Sequence, residues 1–427
     1  MPTNGIGPAL NSTEAITNFR EIATALDEAD VLASSRHSFH IPDSTIYLDG
    51  NSLGLMPTGV PGRIRSVMTE EWAEGLISSW SKAGWFDLPI TAASRLARLV
   101  GVGDDEIAIG DSTSINLFKC LAAGLHARPG RRVIVTEGDN FPTDNYMAQG
   151  LAELVPDVEL RYFEPDQDPA SAVDESVAVV LLSHVDYRSA RVRDMVQVTA
   201  DIHAKGALVL WDLSHTTGAV HCNLAAAGAD MAVGCTYKYL NGGPGAPAFA
   251  WINPAIIGEV SQPLSGWMGH ADPFDFTRSY VPSDGPRRLV CGTPQVISLS
   301  ALDEALKVWD EVDLDQLWKK SRTMTSLFIE AVEASCSDHG LVLASPRDEA
   351  ARGSHVSFNY ENGFEVMQAL AARGVVGDFR APSTMRFGFA PLYLSFGEVV
   401  EAVNHLNEIL CNDEWTEPRF AERGVIT

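Results

Sequence analysis

"SVAVVLLSHV", residues 176–185, is apolar at every position from Val177 to Leu182 and lacks the two-residue alternation of a strand with one wet face. A strand buried on both faces belongs in a parallel sheet covered by helices. Working outward, "EIAIG" (106–110), "RRVIVTEG" (131–138), "GALVLWDLS" (206–214), "ADMAVGCTYKY" (229–239) and "APAFAWI" (246–252) have the same texture. Helical spacing separates several of them, as in "SINLFKCLAAGLHA" (114–127) and "RDMVQVTADIHAKG" (193–206). This alternation predicts an α/β domain with a mostly parallel sheet, and ligands bind such sheets at the carboxyl ends of the strands.

The rest of the chain sets limits on that reading. With 427 residues, 45% of them hydrophobic and 20% charged, the composition is that of a soluble globular protein of two domains. We expect a helical arm over 1–45, a large domain over 46–300 and a smaller α+β C-terminal domain over 301–427, where a long helix pattern, "SLSALDEALKVWDEV", begins. A net charge of −25 argues against nucleic-acid and anionic-membrane partners, which would be repelled. The first residues lack the layout of a secretion signal, so a cytoplasmic location is expected. The six cysteines are scattered and read as reduced thiols; His215 and His221 lie six apart and no H-E-x-x-H occurs, so no metal site is expected.

A census of the strand ends locates the chemistry. Ser112, Thr113 and Ser114 precede a helix, where hydroxyls and free N–H groups either cap the helix or hold a phosphate. Phe141, Thr143 and Asp144 follow the next strand in a proline-fixed turn, where an aromatic ring could stack on a flat ligand. Asp212 ends an apolar strand, and a carboxylate there requires a cation or a ring N–H as partner. Lys238, at the lip of "GCTYKYLNGGPG" (234–245), is a Schiff-base candidate, flanked by the phenols of Tyr237 and Tyr239. A phosphate cradle, a stacking ring, a carboxylate for a pyridinium nitrogen and an amine for an aldehyde are the parts a pyridoxal 5'-phosphate (PLP) site requires.

Longer blocks sharpen this. "YLDGNSLGLMP" (47–57), "EEWAEGLISSWSKAGW" (70–85), "GDSTSINLFK" (110–119), "FPTDNY" (141–146), "WDLSHTTGAV" (211–220), "CTYKYLNGGPG" (235–245), "GWMGH" (266–270), "VCGTP" (290–294) and "RFGFAPLY" (386–393) resemble kynureninases, PLP-dependent hydrolases, over nearly the full length. The resemblance implies an aspartate-aminotransferase-type fold with a seven-stranded large-domain sheet, and a homodimer with its sites at the subunit interface. By the same resemblance Lys238 carries the cofactor, Asp212 holds the pyridine N–H and Phe141 stacks on the ring. Thr113, Ser114, Asp144, Ser183, His215 and Tyr237 fall on cofactor-contacting positions, and Trp267 and Thr293 on positions supplied across the dimer.

Arg386 matches the arginine that receives the substrate α-carboxylate, a fork suited to two charge-assisted bonds. Asn51, Trp80 and Gly292 complete the expected substrate contacts, and Tyr237 is the candidate for proton traffic at the substrate carbonyl. Trp80 and Thr293 stand where versions preferring 3-hydroxykynurenine tend to carry histidine and asparagine, which favours kynurenine itself. The implied reaction is hydrolysis of L-kynurenine to anthranilate and L-alanine, a step of tryptophan catabolism that also feeds NAD biosynthesis. The alternatives are a ring-substituted kynurenine as substrate, a cysteine desulfurase or aminotransferase on the same fold, and a non-catalytic PLP-binding protein.

Overall fold

The computed structural model describes residues 12–422, which divide into two compact units. The larger comprises residues 53–187 and 192–312; the smaller comprises the described residues up to 52, 188–191 and those from 313 onward. This division differs from the one expected from sequence, and packing within each unit explains why. The N-terminal helix Ser12–Glu28 lies against two helices of the C-terminal segment, so it belongs to the smaller unit. The buried ion pair of Asp30 with Lys320, 2.7 Å long, pins the end of that arm. Toward the other boundary, residues 296–306 are helical and pack on the helix Leu88–Val100 inside the larger unit.

The larger unit is built on seven strands: β1 (Ile107–Ile109), β2 (Val133–Glu137), β3 (Glu159–Phe163), β4 (Val177–Ser183), β5 (Leu208–Asp212), β6 (Met231–Gly234) and β7 (Phe249–Ile252). Their spatial order is β1-β7-β6-β5-β4-β2-β3. All neighbours are parallel except where β7 runs antiparallel to β1 and to β6. The run that decided the fold class is the interior strand β4, with Val177 to Leu182 buried on both faces. Helices α1 (Leu88–Val100), α2 (Thr113–Ala127), α3 (Pro142–Leu154), α4 (Met195–His203) and α5 (Val296–Leu306) complete the layers. Leu117 and Leu121 of α2 share one core with Val179, Leu181, Leu208, Leu210 and Met231.

Register fixes where this sheet ends. Ser183 pairs with Asp212 and Asp212 with Val233, so β4, β5 and β6 finish side by side and their last residues present polar groups at one edge. The 229–239 run is strand only as far as Gly234; Cys235 to Tyr239 form a turn. Freed from strand alternation, Tyr237 and Lys238 need not point to opposite faces.

The smaller unit has an antiparallel sheet ordered β10-β11-β9-β8, from β8 (Val342–Leu343), β9 (His355–Asn359), β10 (Asp378–Arg380) and β11 (Thr384–Gly388). Helices α6 (Leu314–Ser335), α7 (Gly363–Ala372) and α8 (Phe396–Cys411) belong to the same unit. Phe328 of α6 stacks against Phe358, Phe387 and Phe389 in its core. No described helix is long and apolar enough to cross a membrane.

Candidate active site

At the carboxyl edge of the large sheet lies a cavity of about 130 Å³. Its walls include Thr113, Ser114, Phe141, Asp144, Ser183, Asp212, His215, Tyr237 and Lys238, nine residues that sequence reasoning placed in one site. Each arrives for a local reason. Ser112 caps α2, its Oγ accepting from Ile115 N at 3.4 Å, and the following hydroxyls stand at the start of a fifteen-residue helix whose dipole favours an anion. Phe141 precedes the proline that opens α3, which fixes its backbone and sets its ring edge-on to Tyr187 at 5.2 Å. Asp212 ends β5, and its Oδ1 accepts the Ser214 N–H at 2.7 Å.

The electrostatic centre is a pair of buried carboxyls. Asp144 and Asp212 are hydrogen-bonded to each other and both are pushed up chiefly by burial; Asp144 rises well above the carboxylate range, with the Asp212 charge adding to the effect. Two carboxylates in contact cannot both ionise, so the pair keeps a proton. We assign it to Asp144, the more deeply buried of the two, which leaves Asp212 ionised. The compensating cation is Lys238, whose Nζ lies 2.9 Å from His215 Nε2, 5.8 Å from the Phe141 ring centre and 6.0 Å from that of Tyr237. The Tyr237 phenol is pushed up by burial and by Cys235, so it stays a protonated donor. Gly54 closes on the same turn: a Cβ there would lie 2.2 Å from the Lys238 carbonyl oxygen, a spacing no side chain tolerates.

Relatives place this arrangement. The chain is 48% identical over 413 residues to a kynureninase of Pseudomonas fluorescens, covering 96% of this chain and 99% of that one. It is 49% identical over 414 residues to a kynureninase of Burkholderia mallei, with the same coverage. The chain belongs to the kynureninase family. The family's C-terminal domain model matches residues 317–406. More distant solved structures share the fold: a cysteine desulfurase of Thermococcus onnurineus (18% identity, TM-score 0.74, 89% of this chain and 98% of that one) and a C-DES mutant with glycine covalently linked to PLP (16%, 0.76, 88% and 99%).

Kynureninase-like blocks also run outside the cavity. Trp80 packs edge-on against Trp85 at 5.7 Å, Trp267 meets Phe274 edge-on and is 41% exposed, and Gly292 and Thr293 are exposed. None of the four lines the cavity. Arg386 and Asn51 lie in the smaller unit, where Asn51 Oδ1, with its amide turned to face the guanidinium, accepts from Arg386 Nε at 2.9 Å and Nη2 at 3.2 Å. Arg386 stands opposite Asp378 in the β10–β11 register and donates to both its oxygens, 2.7 Å from Nε to Oδ1. Ser52 donates to the same carboxylate at 2.8 Å, and so does Arg380.

Sequence reasoning missed Asn140. Its Oδ1 accepts from Ser183 Oγ at 2.7 Å and from Phe141 N at 2.8 Å, while its Nδ2 donates to Asp144 at 3.2 Å. One side chain thus positions three residues of the site. The usable signal was its place immediately before Phe141-Pro142, a polar residue between a strand end and a helix start. Tyr187, which orients Phe141, gave no signal beyond its own aromatic character.

Proposed function

We infer that this protein hydrolyses L-kynurenine to anthranilate and L-alanine with PLP as cofactor, as a homodimer in the cytoplasm serving tryptophan catabolism. What carries the reading is the membership of a kynureninase family over nearly the full chain, joined to a cavity with complementary chemistry. The residues present suit PLP. A carboxylate pair sharing one proton beside an amine, with hydroxyls at a helix N-terminus, offers a partner to a pyridine N–H, to an aldehyde and to a phosphate. When bound, PLP supplies an aldehyde for amine capture and a ring that withdraws electrons.

The chain's own residues then divide the remaining work. Lys238 would hold the cofactor and would carry a proton to and from the substrate α-carbon, with His215 Nε2 within hydrogen-bond reach of its Nζ. Asp212 would keep the ring nitrogen protonated, and Asp144 would hold the proton that prevents a second buried charge. Tyr237, a phenol that does not ionise near neutrality, would donate at the substrate γ-carbonyl as water adds there. Phe141 would cover one ring face, and Thr113, Ser114 and Ser183 would take the phosphate. Arg386, fixed by Asp378, would receive the α-carboxylate, with Asn51 beside it. Trp267, Gly292 and Thr293, exposed in their own protomer, would serve the partner's site, and Trp80 would border the aryl ring.

Desulfurase chemistry finds no support in the thiols. Five of the six, Cys120, Cys222, Cys235, Cys291 and Cys336, are pushed up by burial, which opposes a thiolate nucleophile, and neither they nor the exposed Cys411 line the cavity. Purified protein loaded with PLP should absorb near 420 nm and release fluorescent anthranilate from L-kynurenine, and more slowly release the hydroxylated product from 3-hydroxykynurenine. Loaded protein that leaves kynurenine intact and forms sulfide from cysteine would overturn the reading.

A further inference from the structure

Helix α2 buries a lysine that the reaction does not use. Lys119 is 1% exposed, in a helix face where a leucine would be cheaper. Its ammonium is instead fully engaged: Nζ donates to Asp111 Oδ2 at 2.5 Å and to the Leu289 carbonyl oxygen at 2.6 Å, with Asn116 Oδ1 at 3.4 Å. Asp111 sits at φ 53°, an uncommon conformation for a residue with a side chain, and immediately precedes Ser112 and the hydroxyls that open α2. Asn116 reinforces the turn from below by donating to the Gly110 carbonyl at 3.0 Å.

The second anchor is rigid. A Cβ on Gly266 would meet the Cys291 carbonyl oxygen at 1.8 Å, so the backbone after Leu289 is wedged against its neighbour. Lys119 therefore cannot follow Asp111 freely, and Asp111 is held to a fixed point. Without the ammonium, an uncompensated carboxylate would stand one residue before the hydroxyl turn that an incoming dianion approaches, in a chain that already carries a net charge of −25.

We propose that Lys119 is a positioning residue for phosphate that acts through charge: it neutralises the Asp111 carboxylate at the start of α2, so that the 112–114 turn can accept a phosphate dianion. This rests on the reading of that turn as the cofactor's phosphate cradle. The test is calorimetric titration of apo-protein with inorganic phosphate and with PLP, for wild type, Lys119→Met, Asp111→Asn and the double variant. Lys119→Met should raise both Kd values at least tenfold, and Asp111→Asn should bind as tightly as wild type or tighter. The double variant should recover to within threefold of wild type, because the uncompensated carboxylate is gone. A purely structural lysine predicts no such recovery, so a double variant as weak as Lys119→Met overturns the proposal, as does a Lys119→Met that binds normally. If Lys119→Met does not fold, Asp111→Asn and the double variant decide alone. Wild-type apo-protein in which inorganic phosphate does not compete with PLP would instead refute the cradle reading, which is a separate failure.

Discussion

Two buried charge sets in this chain are built on opposite plans. In the larger unit Asp144, Asp212 and Lys238 surround a cavity, and their hydrogen bonds to the protein leave room for a guest. In the smaller unit Asp378 is closed in by Arg386, Arg380 and Ser52, and burial, which would raise its pKa, is outweighed by the two guanidinium groups, so it stays below the usual carboxylate range. The first set keeps a surplus proton and an amine on the cavity wall. The second spends its charges on geometry. Loss of a member should therefore be read out as activity in one and as stability and substrate affinity in the other.

The largest effect is expected at Lys238. Lys238→Ala should lower turnover by a factor on the order of 10⁴ or more, the scale for removal of a covalent nucleophile. The fold should survive, because Lys238 lines the cavity and its Nζ bonds His215, another residue of the cavity wall. Absorbance near 420 nm, circular dichroism and anthranilate release together check this; near-normal turnover would break the contrast between the two sets. Next comes Asp378→Ala, which leaves Arg386 and Arg380 buried or half-buried without their shared acceptor. Breaking such a pair costs about 3–5 kcal/mol, so the urea midpoint should fall steeply. With Asp378→Asn, where one acceptor oxygen remains, the loss should be smaller and a raised KM for kynurenine should dominate over any change in kcat.

Why one set was legible in the sequence and the other only half so follows from chain distance. Asp144, Asp212 and Lys238 each follow an apolar run, and a sheet with parallel neighbours collects strand ends at one edge whatever its exact register. The fold class could be read from Val177–Leu182 for the same reason: burial on both faces is written into consecutive residues. Asp378 gave no such signal, because its meeting with Arg386 depends on the β10–β11 pairing and on a turn between them. Lys119 was hidden inside a helical pattern, where a lysine reads as solvated. The grouping of residues 12–52 with the C-terminal segment was equally hidden, since Asp30 and Lys320 are close only after folding. The length of β6 was overestimated because apolar character continues past Gly234, where the ladder stops.

The smallest expected effect refines the picture of the closed set. Asp49 is raised to about 7, first by burial and then by Asp378, against the opposing influence of Ser52, Arg386 and Arg380; the Tyr47 phenol is the remaining titratable neighbour. Between pH 4 and 7 the folded chain thus holds a proton that the unfolded chain has released. Native protein binds more protons in this window, so stability falls as pH rises through it and levels off above about 7. Asp49→Asn removes this contribution without adding a charge. Its urea midpoint should exceed that of wild type at pH 8 by an amount equivalent to on the order of 1–2 kcal/mol, the full linkage being reduced by partial exposure, and the gap should close toward pH 5. Parallel midpoint curves for the two proteins would mean that Asp49 is already ionised in the folded chain, and that the arginines dominate the whole cluster rather than Asp378 alone.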